Sequence, residues 1–172
     1  MSEIREIVTR AVVSKGRKVV RINCVVPFEE KVDKILGCYV TDNKLNVELH
    51  DNLVKVDGGF EVNVWYLNNE NNTTNVTKTK LSYEETIKVR QIIFETIGSN
   101  LEVVTCLLQE PTCTNAELCE DGIKVDVLLE ILAEVIGETK MMVTTFDCQE
   151  TNNTFDDFEN EINEDFLKVG DN

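Results

Sequence analysis

Apolar and polar residues alternate through most of this chain, and one stretch of the alternation is written twice. Residues 48–66, ELHDNLVKVDGGFEVNVWY, align without a gap on residues 117–135, ELCEDGIKVDVLLEILAEV, at an offset of 69 residues. Glu48, Leu49, Lys55, Val56, Asp57 and Glu61 recur as Glu117, Leu118, Lys124, Val125, Asp126 and Glu130. Beneath the identities lies a period-2 register. Val54, Val56, Phe60, Val62, Val64 and Tyr66 share one side, and Ile123, Val125, Leu129, Ile131, Ala133 and Val135 share the matching side. Successive side chains of a strand point to opposite faces, so this register predicts a half-buried β ribbon. Its recurrence predicts a duplicated β unit.

The remaining pattern extends the same reading. Residues 4–13 fit either a helix, with Ile4, Ile7, Val8, Ala11 and Val12 on one face, or a strand, favoured by their β-branched content. KVVRINCVV reads as a strand ending at Pro27, and EEKVDKILG as a turn or a single helical turn. ILGCYV and KLNVELH follow as strands, and Asp57-Gly58-Gly59 suggests a bulge inside the next one. NNENNTTN, residues 68–75, is a polar hairpin tip. VTKTKL, TIKVRQIIF and LEVVTCLLQ are further strands, EPTCTN is a turn, and IKVDVLLEILAEVIGETKMMV closes the ordered part. LLEILAEVI also fits a helix face, but its echo of residues 54–66 favours a strand. Strands at short, regular spacing predict an all-β sandwich or partly closed barrel. The domain would span residues 1–146, with a basic segment at 1–17, halves at about 18–93 and 101–146, and an acidic, disordered tail at 147–172.

Composition narrows the function. Hydrophobic residues make up 42% of the 172, enough for one packed core. No run approaches the ~20 apolar residues of a membrane span, and the start lacks a secretory signal, so a protein kept in a cytosol is expected, without membrane insertion. The net charge of −15 is uneven. Met1 to Arg21 carries six basic residues against two acidic ones, whereas Asp147 to Asn172 carries nine acidic residues against Lys168 alone. So acidic a chain is not expected to bind nucleic acid, whose phosphates demand a basic surface. The asymmetry does permit attraction between copies. The tail spaces Phe155, Phe158, Ile162, Phe166 and Leu167 at intervals of one to four, apolar residues that could dock on a partner.

Six cysteines form no C-x-x-C pair, the stronger zinc or redox signature. Cys38 and Cys106 lie in apolar runs and read as small buried hydrophobes. Cys113, Cys119 and Cys148 lie among polar or acidic residues and are expected to be exposed, able to bridge chains under oxidising conditions. A site of three cysteines with His50, the only histidine, has the wrong spacing for zinc ligand loops. No phosphate-binding glycine loop or EF-hand occurs, and His50 falls on a solvent-facing pattern. Asp57 with Asp126, and Glu61 with Glu130, repeat because they hold outward strand positions. No enzyme, cofactor or metal is indicated. The competing reading is a small-molecule or metal-binding β-barrel that uses the cysteines.

Several runs together carry a resemblance. SEIREIVTRAVVSKGRK, ILGCYV, GGFEVNVWY, LAEVIGETK and the terminal EDFLKVGD resemble, in order and over the whole chain, the CotE family of spore coat morphogenetic proteins. The resemblance implies a structural role. Such proteins are made in the mother-cell cytoplasm and come to lie between inner and outer spore coat. They self-associate into a layer, contact the basal-layer morphogenetic ATPase, recruit outer-coat clients and in some spore formers help attach the exosporium. By that resemblance the basic segment, with Arg5, Arg10, Lys15, Arg17 and Lys18, would serve targeting and self-assembly, and residues 150–172 would hold clients. The six cysteines and the Asn-rich, less densely acidic tail depart from the family pattern, and make disulfide cross-linking of copies the more attractive here.

Overall fold

A computed structural model describes residues 2–70, 72–93 and 96–146. All regular structure among them is β. The strands are β1 (Ser2–Val26), β2 (Lys34–His50), β3 (Leu53–Asn68), β4 (Thr73–Lys88), β5 (Arg90–Gln91), β6 (Thr96–Cys119) and β7 (Gly122–Phe146). They form two open antiparallel sheets, one in the order β2-β3-β4 and the other in the order β5-β1-β7-β6. The fold is a sandwich, not a closed barrel. The described residues belong to two compact units, one of residues 8–141, and a small one of those up to Ile7 and from Met142 on, where Thr145 Oγ1 donates to the Glu3 carbonyl at 3.2 Å.

The inner face is the one the alternation predicts. Val54, Val56, Val62 and Val64 are fully buried, as are Ile123, Val125, Leu129 and Ile131. Phe60, Tyr66, Val127, Ala133 and Val135 join the core from the same faces. The hydrophobic effect returns roughly 25 cal/mol for each Å² of apolar surface so removed from water. Residues 4–13 and 128–136, which also fit helix faces, are both strand.

The written repeat is a hairpin. β2 and β3 join through Asp51-Asn52, with His50 opposite Leu53 and Glu48 opposite Lys55. β6 and β7 join through Glu120-Asp121, with Cys119 opposite Gly122 and Glu117 opposite Lys124. The echo runs two residues further back than the identities first suggest, since Asn46 faces Asp57 and Asn115 faces Asp126. Each hairpin is flanked on the same side by a third strand: β4 beside β3, and β1 beside β7. The second half thus borrows its third strand from the start of the chain, and β1 crosses to the sheet of the later hairpin.

Three local readings change. The glycine pair in β3 makes no bulge there. The register slips instead in the partner, where Thr41 opposes Glu61 but Lys44 opposes Gly59, so the extra residue is in β2 at Asp42-Asn43, and Asp42 takes φ 54°. EPTCTN is not a turn but part of β6, with Pro111 buried inside an irregular stretch. Proline is tolerated because β6 is an edge strand whose outer side needs no ladder donor. TIKVRQIIF is not one strand: β4 ends at Lys88 and only Arg90–Gln91 pairs again, with β1. The polar run after β3 does form a hairpin tip, with Asn68 opposite Thr73.

Candidate assembly surfaces

The two long sides of the sandwich are closed differently. On the β1/β4 side Lys18 Nζ lies 2.6 Å from Glu85 Oε2 and donates to the Thr86 carbonyl at 3.1 Å. Gly16 sits so near this seam that an added Cβ would meet the Lys88 carbonyl oxygen. On the β2/β6 side a Cys38–Cys113 disulfide spans the sheets with Cα atoms 6.0 Å apart, and Asn43 Nδ2 donates to Glu110 Oε2 at 3.1 Å.

This bond corrects the cysteine readings. Cys38 is half-buried and bridged rather than a core hydrophobe, and Cys113, expected to be available to another chain, is bonded within its own. Cys106 is exposed on β6, not buried, because it occupies the outward phase of an edge strand. Cys119 is free and exposed, its thiol donating to the Gly122 carbonyl at 3.3 Å. Cys24 is half-buried, and burial, with the Asp126 carboxylate behind it, pushes its thiol above the usual range. Cys148 and the tail residues Phe155, Phe158, Ile162, Phe166 and Leu167 lie outside the described residues.

The basic segment is wholly strand β1, and its charges are matched by acids of the same chain. Arg5 pairs with Glu3 at 2.7 Å, Arg10 with Glu102 at 2.5 Å, Lys15 with Glu134 at 2.8 Å and Arg17 with Glu130 at 3.5 Å. Lys18 holds Glu85 as above. The pairs are largely solvent-exposed, where each is worth only ~0–1 kcal/mol. Their effect is to spread the local positive charge of β1 against the acidic outer faces of its neighbours.

The repeated carboxylates follow the same logic. Glu61 pairs with Lys78 of β4 at 3.3 Å, and its counterpart Glu130 pairs with Arg17 of β1. In both sheets the repeated glutamate reaches the third strand, and the repeated aspartate faces an asparagine, Asn115 Nδ2 lying 3.5 Å from Asp126 Oδ2. His50 is exposed and lies 3.3 Å from Glu48. Among the described residues no three His, Cys, Asp or Glu side chains converge as metal ligands would.

One further surface stands out on the outer face of β2-β3-β4. Trp65, Tyr39, Leu36 and Val76 are exposed by 43%, 61%, 49% and 40%. Leu36, Gly37, Tyr39 and Trp65 line a shallow cleft of about 400 Å³. The alternation that turns Val64 and Tyr66 inward already puts Trp65 outward. Tyr39 gave no comparable signal, because the bulges of β2 shift its phase.

The described residues thus form an all-β sandwich whose free exposed thiols and ion pairs lie on outer faces and edges. Residues 3–172 match the family model described as outer spore coat protein E (CotE). The chain therefore belongs to that family, a family of structural proteins of the spore coat. No curated protein and no solved structure gives a match.

Proposed function

We propose that this chain is a morphogenetic scaffold subunit of the endospore coat. It self-assembles into a layer at the boundary of inner and outer coat and recruits outer-coat proteins, with exosporium attachment as a further duty. The observation that carries the reading is the family match over residues 3–172. Its mother-cell synthesis, its contact with a basal-layer ATPase and the absence of a catalytic role are parts of the same proposal.

Physical features support it. A layer needs a rigid subunit with contacts that do not close on themselves. The sandwich is cross-linked between its sheets and has long edge strands in β2 and β6. Cys106 and Cys119 are free and exposed, and with Cys148 they are the thiols that would bridge copies once the surroundings become oxidising. The basic residues of β1 serve targeting and self-assembly, and the acidic tail holds clients.

Size-exclusion chromatography with light scattering, followed by negative-stain microscopy with and without reductant, tests the reading. Ordered sheets or very large species are expected. A monomer of 19.5 kDa at high concentration would overturn self-assembly. Assemblies whose size and denaturing-gel mobility ignore reductant would remove the cross-linking part alone.

A further inference from the structure

The exposed aromatic face of β2-β3-β4 sits in the most basic part of that sheet. Beside Tyr39, Trp65 and Val76 the outward positions carry Lys34, Lys44, Lys78 and Lys80, all exposed. Among the described strand positions on this half of the face the acidic residues are Asp42 and Glu61, and Glu61 is already paired with Lys78. In a chain of net charge −15, an apolar cleft rimmed by an excess of lysine is an exception. Solvent-exposed tryptophan and tyrosine side by side are characteristic of anchoring sites.

The chain also carries the complementary object. From Phe155 to Leu167 there are six acidic residues, no basic one, and apolar side chains at Phe155, Phe158, Ile162 and Phe166. Eight residues lie between Phe146, the last residue described, and Phe155, and in extended form the nine steps reach about 30 Å. That is enough to leave one subunit and touch the next.

We propose that the tail segment Phe155–Leu167 of one copy docks on the Tyr39–Trp65 face of another copy. Phenylalanine rings enter the cleft beside Trp65, while the tail carboxylates meet Lys34, Lys44, Lys78 and Lys80. Each copy offers one face and one tail, so tails passed on from copy to copy propagate the contact, whereas two copies that exchange tails close it as a dimer. It rests on the scaffold reading and names one of the contacts that reading requires.

Trp65 is the only tryptophan, so its emission reports the face directly. Two full-length variants make the test specific. Phe155→Ser/Phe158→Ser/Phe166→Ser keeps Trp65 but spoils the tail; Trp65→Ser keeps the tail but removes the tryptophan. In the unaltered chain, Trp65 emission should move to shorter wavelength as concentration rises, and move back as salt shrinks the screening length from about 10 Å to about 3 Å. The tail variant alone should show no such shift. Adding the Trp65→Ser chain should restore it, because the donor tail then covers the only tryptophan in the mixture. Should Trp65→Ser fail to fold, Trp65→Phe replaces it as donor.

No shift on mixing would overturn the contact. So would emission in the unaltered chain that is blue-shifted at every concentration, which would mean a tail folded on its own face. A shift insensitive to Lys78→Glu/Lys80→Glu would overturn the charged half of the argument. Light scattering on the same samples separates the two levels. Large assemblies without a tryptophan response keep the scaffold and remove this contact; a response confined to two-chain species keeps the contact and removes the layer.

Discussion

Gly58 and Tyr83 face each other across β3 and β4, and the tyrosine ring fills the space that any side chain on Gly58 would need. The ring is 8% exposed and stands 5.9 Å from Phe60, tilted by 46°. The glycine is thus a seat for an aromatic from the next strand. Gly58→Ala should destabilise the fold by ~1–3 kcal/mol, as overpacking of a core does. Chemical denaturation measures it, and the loss should be smaller when Tyr83→Ala is already present. An equal loss in both backgrounds would disprove the seat.

Tyr83 makes a second point. Among the described residues its buried hydroxyl has no hydrogen-bond partner, and an unsatisfied buried group costs ~1–3 kcal/mol. Tyr83→Phe should therefore leave stability at neutral pH unchanged or raise it by about 1 kcal/mol.

Alkaline stability follows from the same ring and from Tyr66. Burial, reinforced by Glu30 and Glu29, raises the Tyr66 phenol, although a hydrogen bond from Asn75 lowers it. Burial, reinforced by Glu110 and Glu85, raises Tyr83. In the unfolded chain both ionise near the ordinary value of 10.0, while the folded phenols stay neutral. The unfolded state then binds fewer protons, so the contribution is complete below that pH and is lost as pH rises through the raised folded values. Urea midpoints taken between about pH 9 and 11 should fall, and the fall should be shallower in Tyr66→Phe and Tyr83→Phe.

The Cys38–Cys113 bond closes a loop with a sequence separation of 75. A loop of that length predicts a loss of about 4–5 kcal/mol on reduction, by the chain-entropy account. The denaturation midpoint should drop with reductant in the unaltered chain and be indifferent to it in Cys38→Ala/Cys113→Ala. If the unaltered chain shows no drop, the two sheets are held without the bond.

The duplicated turns carry the pairs Glu48–Lys55 and Glu117–Lys124 at equivalent registers. Placing lysine opposite lysine, by Glu48→Lys or Glu117→Lys, should cost ~0.2–1 kcal/mol. Reversing both members, Glu48→Lys/Lys55→Glu, should recover most of it. Thermal unfolding of the single and double variants tests whether the two hairpins behave alike.

The inner face was legible because alternation is strict where one side is buried: each core position of β3 and β7 in the repeat could be read from the register alone. The glycines and Pro111 misled because their meaning depends on the neighbouring strand, which a linear pattern cannot supply. Gly58 answers to Tyr83, and Pro111 to the free side of β6. Cys38–Cys113 was illegible for the same reason, as its partners belong to different sheets. Trp65 was readable, but its significance lies in Tyr39 beside it and the lysines around it, brought together by register.

The borrowed third strand also sets a schedule. β1 ends at Val26 and its neighbour β7 begins only at Gly122, so synthesis at about 5–20 residues per second leaves the first strand without its mate for roughly 5–20 s. Pairing between segments so far apart in the sequence is slow to form. In the finished sheet β1 otherwise pairs only with β5, through Ser14 with Gln91 and Lys15 with Arg90, so most of its ladder waits for the far end of the described chain to be made.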